Sequence, residues 1–189
     1  NDYAGYSVSS AGDVDGDGLS DILVGAYGHD GGRAYIVLAN SLGSTPAFFL
    51  EDADYTLMGS SYAGFDVSAA GDVDGDGFDD ILVGAHTYDA GGLWEYQHGI
   101  AYLILGRSLG LNPIIDLDED DADYEFVGEN DSAHTGRALA SVGDVDGDGL
   151  SDILIGAPGD DAAYLFLGGS LGSIYSLDVS DADYHFISE

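Results

Sequence analysis

Residues Gly12-Asp13-Val14-Asp15-Gly16-Asp17-Gly18-Leu19-Ser20-Asp21 run directly into the apolar stretch Ile22-Leu23-Val24-Gly25-Ala26. The opening seven residues return unchanged at Gly71 to Gly77 and at Gly143 to Gly149, each time followed by an acid-headed apolar run, Asp80 to Ala85 and Asp152 to Ala157. A match of this quality at a fixed place in a longer pattern is an internal repeat, and it organises the whole chain.

Outward from the acidic loop, each repeat carries the same segments in the same order. An alternating stretch precedes the loop (Gly5-Tyr6-Ser7-Val8, Gly64-Phe65-Asp66-Val67, Gly136-Arg137-Ala138-Leu139). The apolar run follows it, then a second one (Ala34 to Leu38, Ala101 to Leu105, Ala163 to Leu167), a Ser-Leu-Gly turn, and a last stretch opening Ala-Asp-Tyr at 53, 122 and 182. Four short strands separated by Gly and Asp turns predict an all-β chain of three four-stranded antiparallel β-propeller blades. The predicted blades cover about 1–60, 61–130 and 131–189 of one domain spanning residues 1–189, a partial propeller or half of a six-bladed ring. The two middle strands are apolar on both faces, as expected of strands stacked between neighbouring sheets. In the fourth strand Tyr55 and Leu57 share one face while Thr56, Glu125 and His185 face away, which reads as an outer edge.

The loop has the spacing of a hard-cation site. Side chains at positions 1, 3, 5 and 9 can converge on one ion only where glycine permits left-handed turns between them. The expected ligands are Asp13, Asp15, Asp17 and Asp21 in repeat one, Asp72, Asp74, Asp76 and Asp80 in repeat two, and Asp144, Asp146, Asp148 and Asp152 in repeat three. The backbone carbonyl at position 7 (Leu19, Phe78, Leu150) joins them, and the position-9 aspartate is expected to be bidentate. The predicted ion is Ca2+, one site per repeat. An EF-hand is excluded, because its bidentate glutamate at position 12 is replaced by Val24, Val83 or Ile155 inside an apolar strand.

Gly-aromatic (Gly5-Tyr6, Gly64-Phe65), the Asp-x-Asp-Gly-Asp-Gly-x-x-Asp loop and Gly-Ala-x (Gly25-Ala26-Tyr27, Gly84-Ala85-His86, Gly156-Ala157-Pro158) together resemble the FG-GAP repeats of integrin α subunits over essentially the whole chain. The resemblance implies that each loop joins strands one and two of a blade and binds structural calcium on one rim of the propeller. Arg137 departs from the aromatic position without touching a ligand.

Composition narrows the partners. Thirty-six acidic residues against three basic ones give a formal net charge of −33, which excludes nucleic acid and an anionic membrane surface. Three divalent ions would cancel only a small part of that excess, so the surface also reads as adapted to a salty or calcium-rich exterior. Cysteine is absent, leaving no disulfide or thiolate site, and no apolar run is long enough to insert in a membrane as a helix. The absence of an initiator Met suggests a mature product or a segment.

No catalytic constellation rises above the repeat. Gly106-Arg107-Ser108-Leu109-Gly110 and Gly168-Gly169-Ser170-Leu171-Gly172 match the G-x-S-x-G nucleophile pattern but stand between strands, and Ala39-Asn40-Ser41-Leu42-Gly43 shows the same turn without the first glycine. Histidines 29, 86, 98, 134 and 185 never recur in register and are expected at the surface. Asn130-Asp131-Ser132 is a glycosylation sequon, and the Asp-Ala-Asp-Tyr acids are expected to guard an edge strand. The insertion at 86–98, with Trp94 and Tyr96, is a candidate recognition loop or an elaborated turn. The expected function is an extracellular, calcium-stabilised binding or assembly module, adhesin-like or part of a surface structure, with a protein or glycan ligand. The alternative is an accessory propeller of a secreted enzyme. Three blades would leave two apolar faces, to be covered by another copy of the chain or by flanking repeats.

Overall fold

The computed structural model describes residues 1–43, 47–89, 97–110, 112–119, 121–173 and 175–188. Among them all regular structure is strand or three-residue 3-10 turn, and no helix is long and apolar enough to cross a membrane. Trp94 and Tyr96, in the middle of the expected recognition loop, lie outside the described residues.

In repeat one, β1 (Val8–Gly12), β2 (Asp21–Gly25), β3 (Arg33–Val37) and β4 (Tyr55–Met58) pair antiparallel in that order. Repeat two gives β5 (Asp66–Gly71), β6 (Asp80–Ala85), β7 (Ile100–Ile104), β8 (Ile114–Asp116) and β9 (Tyr124–Val127), and repeat three gives β10 (Ala138–Gly143), β11 (Asp152–Ala157), β12 (Ala162–Phe166), β13 (Ser176–Asp178) and β14 (Tyr184–Ile187).

These strands form three sheets, ordered β1-β2-β3-β4-β8, β5-β6-β7-β9-β13 and β10-β11-β12-β14. The expected four antiparallel strands are present in each, but two sheets hold a fifth. β8 leaves its own repeat and pairs parallel with β4, Leu57 opposite Ile115, and β13 does the same to β9, Phe126 opposite Leu177. The fourth strands of repeats one and two are therefore not outer edges. The crossing segments bring Ile115 and Leu117 into the core, and their burial of apolar surface is what holds the extra strand in place.

The core lies between sheets. One apolar layer joins Leu23, Ile36 and Leu57 of the first sheet to Ile81, Val83 and Tyr102 of the second. Another joins Leu82, Leu103 and Phe126 of the second to Ile153, Tyr164 and Phe166 of the third. Close approach of backbones fixes the spacing at one end of β2 and β6. A Cβ on Gly25 would fall on the Gly64 carbonyl, and one on Gly84 on the Gly136 carbonyl, so the glycines of the Gly-aromatic and Gly-Ala pairs are needed because neighbouring repeats touch there through main chain.

Candidate metal centres

Each acidic loop connects the first two strands of its sheet, and a register shift just before it (Ser10/Gly12, Ala69/Gly71, Ser141/Gly143) marks a bulge that aims the chain out of the ladder. Gly16, Gly18 and their counterparts hold φ between +77° and +97°. That left-handed path lets the first aspartate fold back over its own loop. Gly18 N–H donates to Asp13 Oδ2 (2.9 Å), Gly77 N–H to Asp72 Oδ2 (2.9 Å) and Gly149 N–H to Asp144 Oδ2 (2.9 Å).

Each loop gathers three of its four expected aspartates, leaving Asp21, Asp76 and Asp148 outside the groups. One oxygen each from Asp13, Asp15 and Asp17 lie within 4.8 Å of one another, as do those of Asp72, Asp74 and Asp80, and of Asp144, Asp146 and Asp152. Oxygens at roughly 2.3–2.6 Å from a shared ion cannot be more than about 5 Å apart, so these clusters fit calcium's shell. Asp13 Oδ1 is buried with no hydrogen-bond donor, a costly state for a carboxylate oxygen unless a cation meets it. The donor set is oxygen throughout, which suits a hard cation and not zinc.

Position 9 does more than sequence spacing indicated. Asp80 is fully buried, and both of its oxygens accept backbone bonds, from Val73 N–H and Gly106 N–H at 2.8 Å each. Asp21 holds Val14 N–H (3.0 Å) and Ala39 N–H (2.8 Å), and Asp152 holds Val145 N–H (2.7 Å) and Gly168 N–H (2.9 Å). These aspartates staple the loop to the turn after the third strand, with one lone pair per oxygen to spare. Burial raises the Asp80 carboxyl to about 7 against the opposing pull of those two backbone bonds, with Asp76 and Asp72 adding to the rise, and burial raises Asp21 likewise.

The position-7 side chains pack on the preceding loop. The Phe78 ring covers Gly16 and Leu150 covers Gly75, while Leu19 stays exposed. Position 8 also bridges repeats in the middle unit, where Asp79 Oδ2 accepts Asp13 N–H at 2.8 Å.

Two expectations are corrected. The second acid of each Asp-Ala-Asp-Tyr does not guard an edge. Asp54, Asp123 and Asp183 accept the N–H of Leu38, Leu105 and Leu167, each at 2.8 Å, and the hydroxyls of Ser41, Ser108 and Ser170 at 2.6–2.9 Å. The Ser of the apparent G-x-S-x-G is thus committed to a turn clamp inside a 3-10 turn. The second correction is His86, which is buried rather than at the surface. Its ring lies 4.0 Å from Phe65 by centroids in an aromatic row with Tyr27, Tyr62 and His134, at the opposite end of the first two strands from the acidic loops.

Sequence reasoning missed these clamps, the Asp79 bridge and a side-chain contact from the turn after the third strand onto each of the first two loops. Asn40 Nδ2 donates to Asp17 Oδ2, and the Arg107 guanidinium meets Asp74 Oδ2. The recurrence of an Asp 16 or 18 residues after Leu38, Leu105 and Leu167 was the available signal for the clamps. For Arg107 there was none, because a single copy carries it.

An all-β repeat architecture with a carboxylate-lined loop at the same place in every sheet defines an acidic-loop type of β-repeat protein. The FG-GAP repeat family matches residues 4–37, 63–96 and 135–177, together more than half of the chain, and the chain belongs to that family. It is 34% identical over 175 residues to integrin alpha-PS5 of Drosophila melanogaster, covering 87% of this chain and 16% of that protein. It is 33% identical over 178 residues to integrin alpha-5 of Xenopus laevis (88% and 16%), and 40% identical over 110 residues to phosphatidylinositol-glycan-specific phospholipase D of Rattus norvegicus (58% and 13%). The chain thus spans no more than 16% of the length of these relatives. FG-GAP membership implies propeller blades for the three sheets.

Proposed function

We propose that this chain is a calcium-stabilised, extracellular binding or assembly module of the adhesin type, built of three propeller blades with one structural calcium per repeat. The observation that carries the reading is the threefold recurrence of a converging carboxylate cluster in a chain whose relatives are integrin α subunits. The ligands are the loop aspartates at positions 1, 3 and 5 with the position-7 carbonyl, and position 9 adds its remaining lone pairs. The role of the metal is neutralisation. Four carboxylates per loop repel one another, and a divalent ion converts that cluster into a cross-link between the loop and the second strand. The apolar outward faces of the first and third sheets, with Val8 and Ile22 on one and Phe186 on the other, are surfaces for a further blade of the same kind, from a second copy or from flanking repeats.

A second reading, an accessory propeller beside the catalytic domain of a secreted enzyme, draws on the similarity to the phospholipase D. On either reading the described segment itself supplies no chemistry. Calcium at one hundred times its dissociation constant would add about 2.7 kcal/mol per site, so removal by excess EDTA at constant ionic strength is expected to lower the melting temperature by many degrees. An unchanged melting curve defeats the structural-calcium reading.

A further inference from the structure

Arg107 is one of three basic residues in the chain and stands in the 3-10 turn Gly106–Ser108 that follows β7. Its guanidinium bonds Asp74 Oδ2 and comes within 3.6 Å of Asp76 Oδ2, so it spans positions 3 and 5 of the middle loop. The turn that carries it is fixed, since Gly106 N–H is held by Asp80, and Leu105 N–H and the Ser108 hydroxyl by Asp123. Only the side chain is free to move away. Arg107 is half exposed while the Asp74 and Asp76 side chains are 17% and 19% exposed, so the pair sits at the solvent boundary and its guanidinium partly covers the loop.

The same turn presents something different to each of the other loops. Asn40 offers Asp17 a neutral amide. At the third loop the equivalent residue is Gly169, with no side chain at all. Three loops of identical sequence from Gly to Gly thus face a cation, a neutral donor and nothing.

We propose that Arg107 is a tethered internal counter-ion that grades the three loops in divalent-cation affinity, the third tightest, the first intermediate and the middle weakest. At low calcium it substitutes for the ion in the middle loop and keeps that loop folded. The physical basis is charge addition at short range. A tethered positive charge a few ångströms from a divalent ion, in surroundings close to water, weakens binding by about tenfold, whereas a neutral amide that must only give up its hydrogen bond to Asp17 weakens it far less. The inference rests on the reading of the loops as calcium sites.

The amides of Gly18, Gly77 and Gly149 each bond to the first aspartate of their own loop, so their NMR resonances report occupancy loop by loop. Calcium titration of the intact chain is expected to move Gly149 first and Gly77 last. In Arg107→Gln the Gly77 midpoint falls by about tenfold, Arg107→Lys stays near the parent, and Asn40→Arg raises the Gly18 midpoint while leaving the other two in place. Coincident midpoints in the parent, or a Gly77 midpoint that Arg107→Gln does not move, overturn the inference and leave the calcium reading standing. If none of the three glycines responds to calcium, the calcium reading itself fails and this inference with it.

Discussion

The strands β2 and β6 open with the same residues, Asp-Ile-Leu-Val-Gly, yet the protein treats them differently. Ile81 is completely buried, whereas its counterpart Ile22 is 37% exposed. Leu23 and Leu82, one residue later, are both fully buried. The alternation is the point. β6 lies in the sheet between the other two, so both of its faces meet apolar neighbours, while β2 has a covered face toward the second sheet and an open one beyond it. An apolar run with both faces coded for burial thus becomes two-sided or one-sided core according to its place in the stack.

The comparison can be broken most directly with paired truncations. Ile81→Ala is expected to cost about 2–5 kcal/mol in urea denaturation, because it opens a cavity in the layer shared by the first two sheets, and Ile22→Ala is expected to cost less than about 1.5 kcal/mol. Equal losses would show that the open face of β2 is covered in solution, which light scattering of the parent chain would then reveal as association.

A smaller effect is expected from the aspartates of the middle loop. Asp80→Ala removes the buried acceptor of two backbone N–H groups and is expected to cost about 2–4 kcal/mol even in EDTA. Asp79→Ala loses the single bond to Asp13 N–H across the repeat boundary and should cost about 1 kcal/mol, with calcium stoichiometry intact. If the two variants bind the same amount of calcium, position 9 is a staple and not a ligand.

The smallest effect concerns His86, which stands where repeats one and three have Tyr27 and Pro158. Burial, then the positive charge of Arg137 and the neighbouring His134, hold its pKa down to about 4 from 6.5. The unfolded chain therefore binds a proton on this residue that the folded chain refuses. Its contribution to stability is fully present above pH 6.5 and is lost as pH falls from 6.5 toward 4, by about 1–2 kcal/mol at pH 5. His86→Phe should flatten that part of the stability–pH curve. An unchanged slope would mean that another group accounts for it.

Much of the candidate site was legible because its determinants are local. Convergence of alternate carboxylates needs only the Asp spacing and glycines that accept positive φ, and both are written in consecutive residues. The clamps by Asp54, Asp123 and Asp183 were half-legible. Their recurrence was visible, but their partners lie 16 or 18 residues away, and only the folded third and fourth strands bring them together. His86 misled because a polar residue in a loop is usually solvated, and its burial comes from Phe65 and Tyr62 of the same repeat folding over it.

The sequence by itself determined the repeat, the all-β architecture and the acidic loops, since each follows from hydrophobic period, turn residues and ligand spacing within one repeat. Tertiary structure alone decided what passes between repeats. It moved β8 and β13 onto the preceding sheet, set Asp79 against Asp13 of the repeat before, and made one copy of a shared strand core and another half surface. Those outcomes depend on which backbone lies alongside which, and no window of sequence contains both partners.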